Sequence, residues 1–181
     1  PRGTRARMAI QIDRDLLRME AAQMGVELPG GDELALYGEM IVAWNERVNL
    51  THLTQEPEVR VKHLLDSLAG LRALPGDATS VLDVGSGAGL PGIPWALARA
   101  HIEVTMVDSV GKKVQFLKNA IARSRLRRAK ALHMRVDEGS PLRAEWVTSR
   151  AFTELGAFLR VARPLASKGV VAFLGPREGE G

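Results

Sequence analysis

The chain has 181 residues, 45% of them hydrophobic and 25% charged, which is enough apolar content for one buried core and too much for a disordered tail. It contains no cysteine, which excludes disulfide scaffolds, Cys-ligated zinc, iron–sulfur clusters and thiol catalysis; no run approaches ~20 apolar residues, which excludes a transmembrane helix. The formal net charge of +4 and a pI near 9.8 lean mildly towards an anionic partner.

The start, Pro1 to Arg7, is basic but lacks a following apolar stretch, so a secretory signal is not expected and a cytoplasmic location is. The absence of an initiator Met implies a processed or trimmed chain. From about residue 8 to 74 the period is helical. A first helix covers Ile12, Leu16, Leu17 and Met24 and ends near Gly25. A second carries the apolar stripe Leu34, Tyr37, Met40, Ile41, Trp44 and Val48 at i, i+3, i+4 and i+7 spacing. A third starts at Glu56-Pro57 and carries Val61, Leu64, Leu65 and Leu68. Met8, Met19, Met24 and Met40 read as helix packing. Leu74-Pro75-Gly76-Asp77 then breaks the helix.

Beyond this point strands alternate with helices. Ser80–Val84 reads as a buried strand, followed by a Gly/Pro-rich turn and a helix through Trp95 to Arg99. Val104–Val107 is a second strand, Lys112–Arg123 a helix, Ala129–Arg135 a third strand and Trp146–Ser149 a fourth. Glu154–Ala162 is a helix and Val170–Leu174 a fifth strand. The alternation predicts an α/β, doubly wound, mostly parallel sheet of Rossmann-like type. A helical extension over residues 1–76 is expected to pack on a sheet domain over 77–181, because the linker at 75–79 is short.

The most informative stretch is Val81-Leu82-Asp83-Val84-Gly85-Ser86-Gly87-Ala88-Gly89. A strand runs into glycines at the carboxyl edge of the sheet, where nucleotides sit in doubly wound folds. Two registers compete. Gly87-Ala88-Gly89-Leu90-Pro91-Gly92 fits the dinucleotide fingerprint, with Asp108 about 20 residues on. Counted instead from Gly85, where the strand ends, the spacing is G-x-G-x-G with Asp83 two residues ahead, the loop of S-adenosyl-L-methionine-dependent methyltransferases. A cationic sulfonium suits that acidic strand end better than a pyrophosphate does, so Gly85, Ser86, Gly87 and Gly89 are candidate cofactor residues. Asp108, ending the second strand, accepts from the ribose hydroxyls, caps the next helix, or does both. Asp137, after the third strand, is either an acceptor for the adenine amino group or a solvated loop acid.

Other absences and charges narrow the class. Without Cys, methylation of pyrimidine C5 through a thiolate adduct is unavailable. Thr148-Ser149-Arg150-Ala151-Phe152 lacks the Asn/Asp-Pro-Pro-aromatic loop expected for exocyclic amines. Ring nitrogens and oxygens remain as acceptors. Between Val110 and Val136 stand nine Lys or Arg residues, among them Lys112, Lys113 and Arg135, and no acid. This reads as an RNA-facing run or as a solvated helix end. Aromatics at 4% argue against a wide stacking platform. His63 reads first as a hydrogen-bonded structural histidine. Arg150, charged and next to a buried strand, is expected to contact the cofactor or close the site.

Five blocks in order carry a resemblance. They are Trp44-Asn45 with Val48-Asn49-Leu50-Thr51; Lys62-His63-Leu64-Leu65-Asp66-Ser67; Leu82 to Pro94; Val107-Asp108-Ser109 with Gly111-Lys112-Lys113-Val114; and Ser149-Arg150-Ala151-Phe152. Together they span most of residues 40 to 175 and are similar to the RsmG family, also called glucose-inhibited division protein B. The resemblance implies a cytoplasmic methyltransferase acting on N7 of one guanine in 16S ribosomal RNA, alone or within the small ribosomal subunit. By it, cofactor contacts fall on Gly85, Leu90, Val136, Asp137 and Arg150. Lys112 and Arg135 lie on the cofactor or RNA face, and Asn49 and His63 in a patch near the site. A monomer without metal or membrane contact is expected. Two departures stand out. Leu174-Gly175 replaces a common Lys-Gly, and the chain stops at Gly181 where the family continues into an antiparallel strand pair, so a truncated or missing tail is expected. These departures keep open a cofactor-binding but catalytically impaired RNA or assembly factor. An NAD(P)-dependent oxidoreductase and a small-molecule methyltransferase are the remaining alternatives.

Overall fold

The structure is a computed structural model that describes residues 10–152 and 154–174. The basic start, Met8 and the Gly175–Gly181 tail lie outside the described residues. Five strands, β1 (Ser80–Val84), β2 (Glu103–Asp108), β3 (Ala129–His133), β4 (Ala144–Ser149) and β5 (Ala166–Ala172), form one sheet in the order β3-β2-β1-β4-β5. Every pair is parallel, with Val84 opposite Val107 and Asp83 opposite both Met106 and Thr148. The order reverses between β1 and its neighbours, which opens a crevice at the carboxyl ends of the strands.

The period-2 alternation sorts the central strands into two cores. Val81, Val104 and Met106 face one side, where they meet α1 (Arg14–Gln23), α2 (Gly31–Val48), α5 (Gly92–Ala98) and α6 (Gly111–Arg123). Leu82, Val84, Val107 and Val147 face the other, against α7 (Leu155–Ala162) and Leu165. Trp95, Tyr37 and Phe116 are the largest fully buried side chains, all on the first side. Removing any one to Ala would cost about 3–5 kcal/mol.

The helical extension is held by local chemistry. Asp13 caps α1 by accepting from the Asp15 and Leu16 amides at 3.0 Å. Gly25 (φ +75°) ends it, with the Val26 amide bonded to the Ala21 carbonyl. Residues 56–73 form one continuous rod: α3 (Glu56–Glu58), a π-helical stretch (Val59–Leu65), α4 (Asp66–Ala69) and a 3₁₀ turn (Gly70–Ala73). The extension reaches the glycine loop directly, since the buried Tyr37 hydroxyl donates to the Ala88 carbonyl at 2.5 Å.

Several expectations change. The π-helical stretch rotates the face of the third helix, so Val61 is 45% exposed while Val59 and Arg60 turn inward. Met19 is exposed, so it is not a packing residue. β5 begins four residues earlier than its apolar run and ends at Ala172; within it Gly169 lies opposite Trp146, where a Cβ would meet the indole ring. The third strand ends at His133, so Arg135 sits in the connection beyond it. As expected from the sequence, that connection, residues 134–143, carries no helix.

Candidate functional site

β1 delivers Gly85 to the switch point. Gly85 (φ +65°) takes a conformation that suits glycine, and a Cβ there would come within 2.7 Å of the Ala151 Cβ. Ala151 is fixed in turn. The Ser149 hydroxyl donates to the Val84 carbonyl at 2.6 Å and accepts from the Ala151 amide, locking the tip of β4 to the tip of β1.

Most amides of the loop after Gly85 are satisfied within the protein. The Ser86 amide donates to Val107 O, the Gly89 and Leu90 amides to Ser86 O, and the Gly87 amide to Asp108 Oδ2. At the head of α5 the Gly92 amide donates to Asp83 Oδ2, the Ile93 amide to Gly89 O, and Pro94 has no N–H. A pyrophosphate cradle needs free amide donors at a helix N-terminus. Here they are spent, which argues against the dinucleotide register.

Asp83 is the buried anchor of this loop, not a ligand at the strand end. It is fully buried and accepts from the Ser86 hydroxyl at 2.5 Å and from Gly92, while its Oδ1 has no partner. Burial pushes its carboxyl up to about 7, against the lowering effect of those two hydrogen bonds.

Asp108 does two local jobs. Its Oδ2 accepts from the Gly87 amide and its Oδ1 from the Val110 amide at 2.9 Å, closing a turn just ahead of α6, whose first-turn amides it does not cap. Each oxygen keeps further lone-pair capacity, and the side chain lines a cleft of about 650 Å³ at the carboxyl edge of the sheet. The cleft's walls come from five elements: Val84 and Gly85 at the end of β1, Val107 to Ser109 at the end of β2, Met134 to Gly139 after β3, Ala151 and Phe152 after β4, and Val161 of α7. Its volume is that of an ordinary small-molecule site. Phe152 packs against Phe158 with centroids 5.6 Å apart, making one apolar wall.

Of the candidate residues, Gly85, Asp108, Arg135, Val136 and Asp137 come together on this cleft. Asp137 is exposed, and its Oδ1 accepts from the Gly139 amide and the Ser140 hydroxyl. Ser86, Gly87, Gly89 and Leu90 stand behind the wall and shape it. Lys112 and Lys113 lie in the first turn of α6, beside Asp108. Met134, Ser109, Ala151 and Phe152 line the cleft but were not singled out from the sequence; their place directly after a strand was the available signal.

Three candidates lie elsewhere. Arg150 points away from the cleft. Its guanidinium pairs with Asp66 at 3.0 Å, donates to Ser67 Oγ and the Lys62 carbonyl, and lies 5.3 Å from the Phe173 centroid. It clamps β4 to the helical rod. Asn49 is the exposed, left-handed C-cap of α2 (φ +33°), where the Asn45 side chain accepts from the Leu50 and Thr51 amides. His63 bonds through Nε2 to the Thr51 hydroxyl at 2.6 Å, and its Nδ1 has no partner. Burial and then the Arg150 charge lower it to about 4, so the ring is neutral at pH 7. The Asn45-to-Thr51 block is thus a turn built to receive His63.

Among the described residues no cluster of His, Asp or Glu could hold a metal ion, and no helix is long and apolar enough to cross a membrane.

The family model GidB, described as rRNA small subunit methyltransferase G, matches residues 31–175. The ribosomal RNA small subunit methyltransferase G of Geobacter sp. (strain M21) is 38% identical over 161 residues, covering 86% of this chain and 74% of that protein. Its counterpart in Myxococcus xanthus (strain DK1622) is 46% identical over 142 residues, covering 75% and 64%. Among solved structures, a SAM-dependent methyltransferase from Thiobacillus denitrificans in complex with S-adenosyl-L-homocysteine aligns with TM-score 0.54 at 20% identity, covering 74% of this chain and 54% of that one. Coclaurine N-methyltransferase aligns with TM-score 0.53 at 19% identity, covering 89% and 56%, a likeness of fold. The glycine loop, the parallel sheet with its switch point and the match across most of the chain agree: the chain belongs to the ribosomal RNA small subunit methyltransferase G family.

Proposed function

We propose that the protein transfers a methyl group from S-adenosyl-L-methionine to N7 of a guanine in 16S ribosomal RNA, as a cytoplasmic monomer acting on the RNA or the small ribosomal subunit. The observation that carries the reading is the cleft itself. It joins a carboxylate with spare acceptor capacity, Asp108, to a glycine loop whose Ser86, Gly87, Gly89 and Leu90 amides are already used.

The residues present fit the cofactor. Asp108 would accept from ribose hydroxyls, Asp137 and Val136 would meet the adenine at the rim, and Gly85 would let the methionine portion approach the backbone. Ser86, Gly87, Gly89 and Leu90 hold that approach in shape. Arg150, engaged with Asp66, is left out of the cofactor set and acts as a brace. When bound, the cofactor supplies an electrophilic methyl on a sulfonium, and in-line displacement moves the positive charge from sulfur to the base. Guanine N7 carries a free lone pair, so no proton has to leave first. The cleft accordingly needs no general base, and alignment can supply ~7–11 kcal/mol in favourable cases. Arg135, Lys112 and Lys113 beside the opening would hold RNA phosphates. Asn49 and His63, on the rod side, would bear on RNA only outside the cleft.

The test is a labelled methyl donor with small ribosomal subunits lacking the modification, followed by mapping of the labelled nucleotide. Label on N7 of one guanine is expected. Leu174, 63% exposed where the family commonly has lysine, favours a second reading as a non-catalytic assembly factor. Cofactor binding without label transfer would support it.

A further inference from the structure

The basic run between Val110 and Val136 does not form one face. Helix α6 runs from the carboxyl edge of the sheet back to its amino edge, a span of about 18 Å at 1.5 Å per residue. Lys112, Lys113 and Arg135 therefore stand beside the cleft. Arg123, Arg125, Arg127 and Arg128 stand at the opposite end, just before β3 begins.

This second cluster is a free cationic surface among the described residues, and its position extends beyond a helix end. All four side chains are exposed, and none forms an ion pair or side-chain hydrogen bond among the described residues. The neighbouring acid, Glu103, is already engaged by Lys130 at 3.2 Å. The helix dipole accounts for Arg123 in the last turn, but Arg125, Arg127 and Arg128 lie beyond it, where the dipole has faded.

Arg125 is also held at φ +53°, in the left-handed position that ends a helix and ordinarily takes glycine. The Leu126 amide closes the motif on the Ile121 carbonyl at 3.1 Å. Arg125, Arg127 and Arg128 line a groove of about 310 Å³ whose floor is apolar, formed by Leu126, Ile102 and Ala96. An apolar floor lowers the local dielectric and strengthens a guanidinium–phosphate contact.

We propose that this amino-edge cluster is a second RNA-docking surface, which grips the phosphate backbone of a ribosomal RNA segment other than the one carrying the target base. The proposal rests on the reading of the protein as a ribosomal RNA methyltransferase. It adds that the substrate must be long enough to reach both ends of the sheet at once.

The experiment compares wild type with an Arg125→Gly/Arg127→Ala/Arg128→Ala variant on two probes: a full-length 16S ribosomal RNA transcript and a short stem-loop carrying the mapped target guanine. Affinity is measured across a salt series, with cofactor binding alongside. The variant is expected to bind the long RNA at least tenfold more weakly, and its log–log salt slope should fall by about two to three, as for two or three lost phosphate contacts. Binding to the stem-loop and to the cofactor should be unchanged. Arg125→Gly alone should keep or raise the thermal midpoint, since glycine relieves the left-handed backbone, yet weaken long-RNA binding; this separates docking from folding. Unchanged long-RNA affinity and slope would overturn the proposal. So would an equal loss on both RNAs, which would put the arginines against the target stem. A loss on assembled subunits alone, with naked RNA unaffected, would assign the surface to a ribosomal protein and overturn it too. A wild-type enzyme that binds long RNA but transfers no methyl would sink the parent reading, and the salt slopes would still judge this one.

Discussion

Two walls of the same cleft are built in opposite ways. The glycine wall reaches the cleft through Gly85 and is backed by residues 86–92, which are buried or nearly so and whose polar groups bond to one another through Asp83, Ser86 and Asp108. The facing rim, residues 134–139, follows β3 without a helix. Its exposed Arg135, Asp137 and Glu138 are held by little more than the Asp137–Ser140 turn. The first wall is a rigid mould whose shape is set before any ligand arrives. The second is an adjustable lip. Affinity should therefore be dominated by the mould and tuned by the lip.

Paired substitutions test this contrast, and the glycines should show the largest effect. Gly85→Val forces a β-branched residue into a left-handed conformation and into Ala151. Strain of about 1–3 kcal/mol is expected, with cofactor affinity lost by roughly a hundredfold or more. Gly139→Ala on the rim, whose added Cβ would sit 3.6 Å from Asp137 Oδ1, should change affinity by less than about threefold, within 1 kcal/mol. Titration calorimetry of both variants reads the difference, and similar losses in the two would erase the distinction between the walls.

The carboxylates come next. Asp108→Asn should weaken cofactor binding about 10- to 100-fold, the worth of a charged hydrogen-bond acceptor. Asp137→Asn should cost less than tenfold, because the rim acid is solvated. A reversed order would mean that the lip, not the mould, carries recognition.

The pH dependence of stability isolates the glycine wall. Asp83 titrates near 7 when folded and near 3.8 when unfolded. The folded state thus holds the extra proton between those values. Its stabilising contribution is complete below about 4 and fades as pH rises through 7. His63 acts with the opposite sign: its folded value near 4 lies below 6.5, so its contribution is present above 6.5 and lost as pH falls through 4. Denaturant melts of wild type and Asp83→Asn between pH 4 and 7.5 should show stability declining less with pH in the variant. Parallel profiles would refute the buried-acid assignment.

The smallest effect is expected at Arg150. Arg150→Ala should leave cofactor affinity within twofold and lower stability by up to about 1 kcal/mol, since its Asp66 partner is half exposed. A large loss of cofactor binding would return this arginine to the site.

The two walls also differed in how readable they were. Strand β1 and its glycines were legible because a buried strand, a turn needing left-handed residues and a helix start each constrain residue type. The fold class followed from the same alternation. The rim was legible only in part: a loop of exposed polar residues has no period, so Asp137 stood out by its place after the third strand, while Met134 and Glu138 had no signal of their own. Arg150 misled for a physical reason. A charge beside a buried strand does need a partner, but nothing in its neighbours showed that Asp66, 84 positions earlier, would supply one. Asn49 and His63 were placed in a patch near the site by the resemblance, but they belong to a turn in which Asn45 and Thr51 supply the hydrogen bonds; turn-building side chains and ligand-binding ones are drawn from the same residue types.

The central claim is that the cleft beside Asp108 takes a methylsulfonium nucleoside and not a dinucleotide. The most direct measurement is calorimetric titration of the purified protein with S-adenosyl-L-methionine, its demethylated product, NAD⁺ and NADP⁺. The account predicts saturable one-to-one binding of the first two, sharply weakened by Asp108→Asn, and no heat from either dinucleotide. Binding of a dinucleotide, or silence from all four ligands, would contradict it.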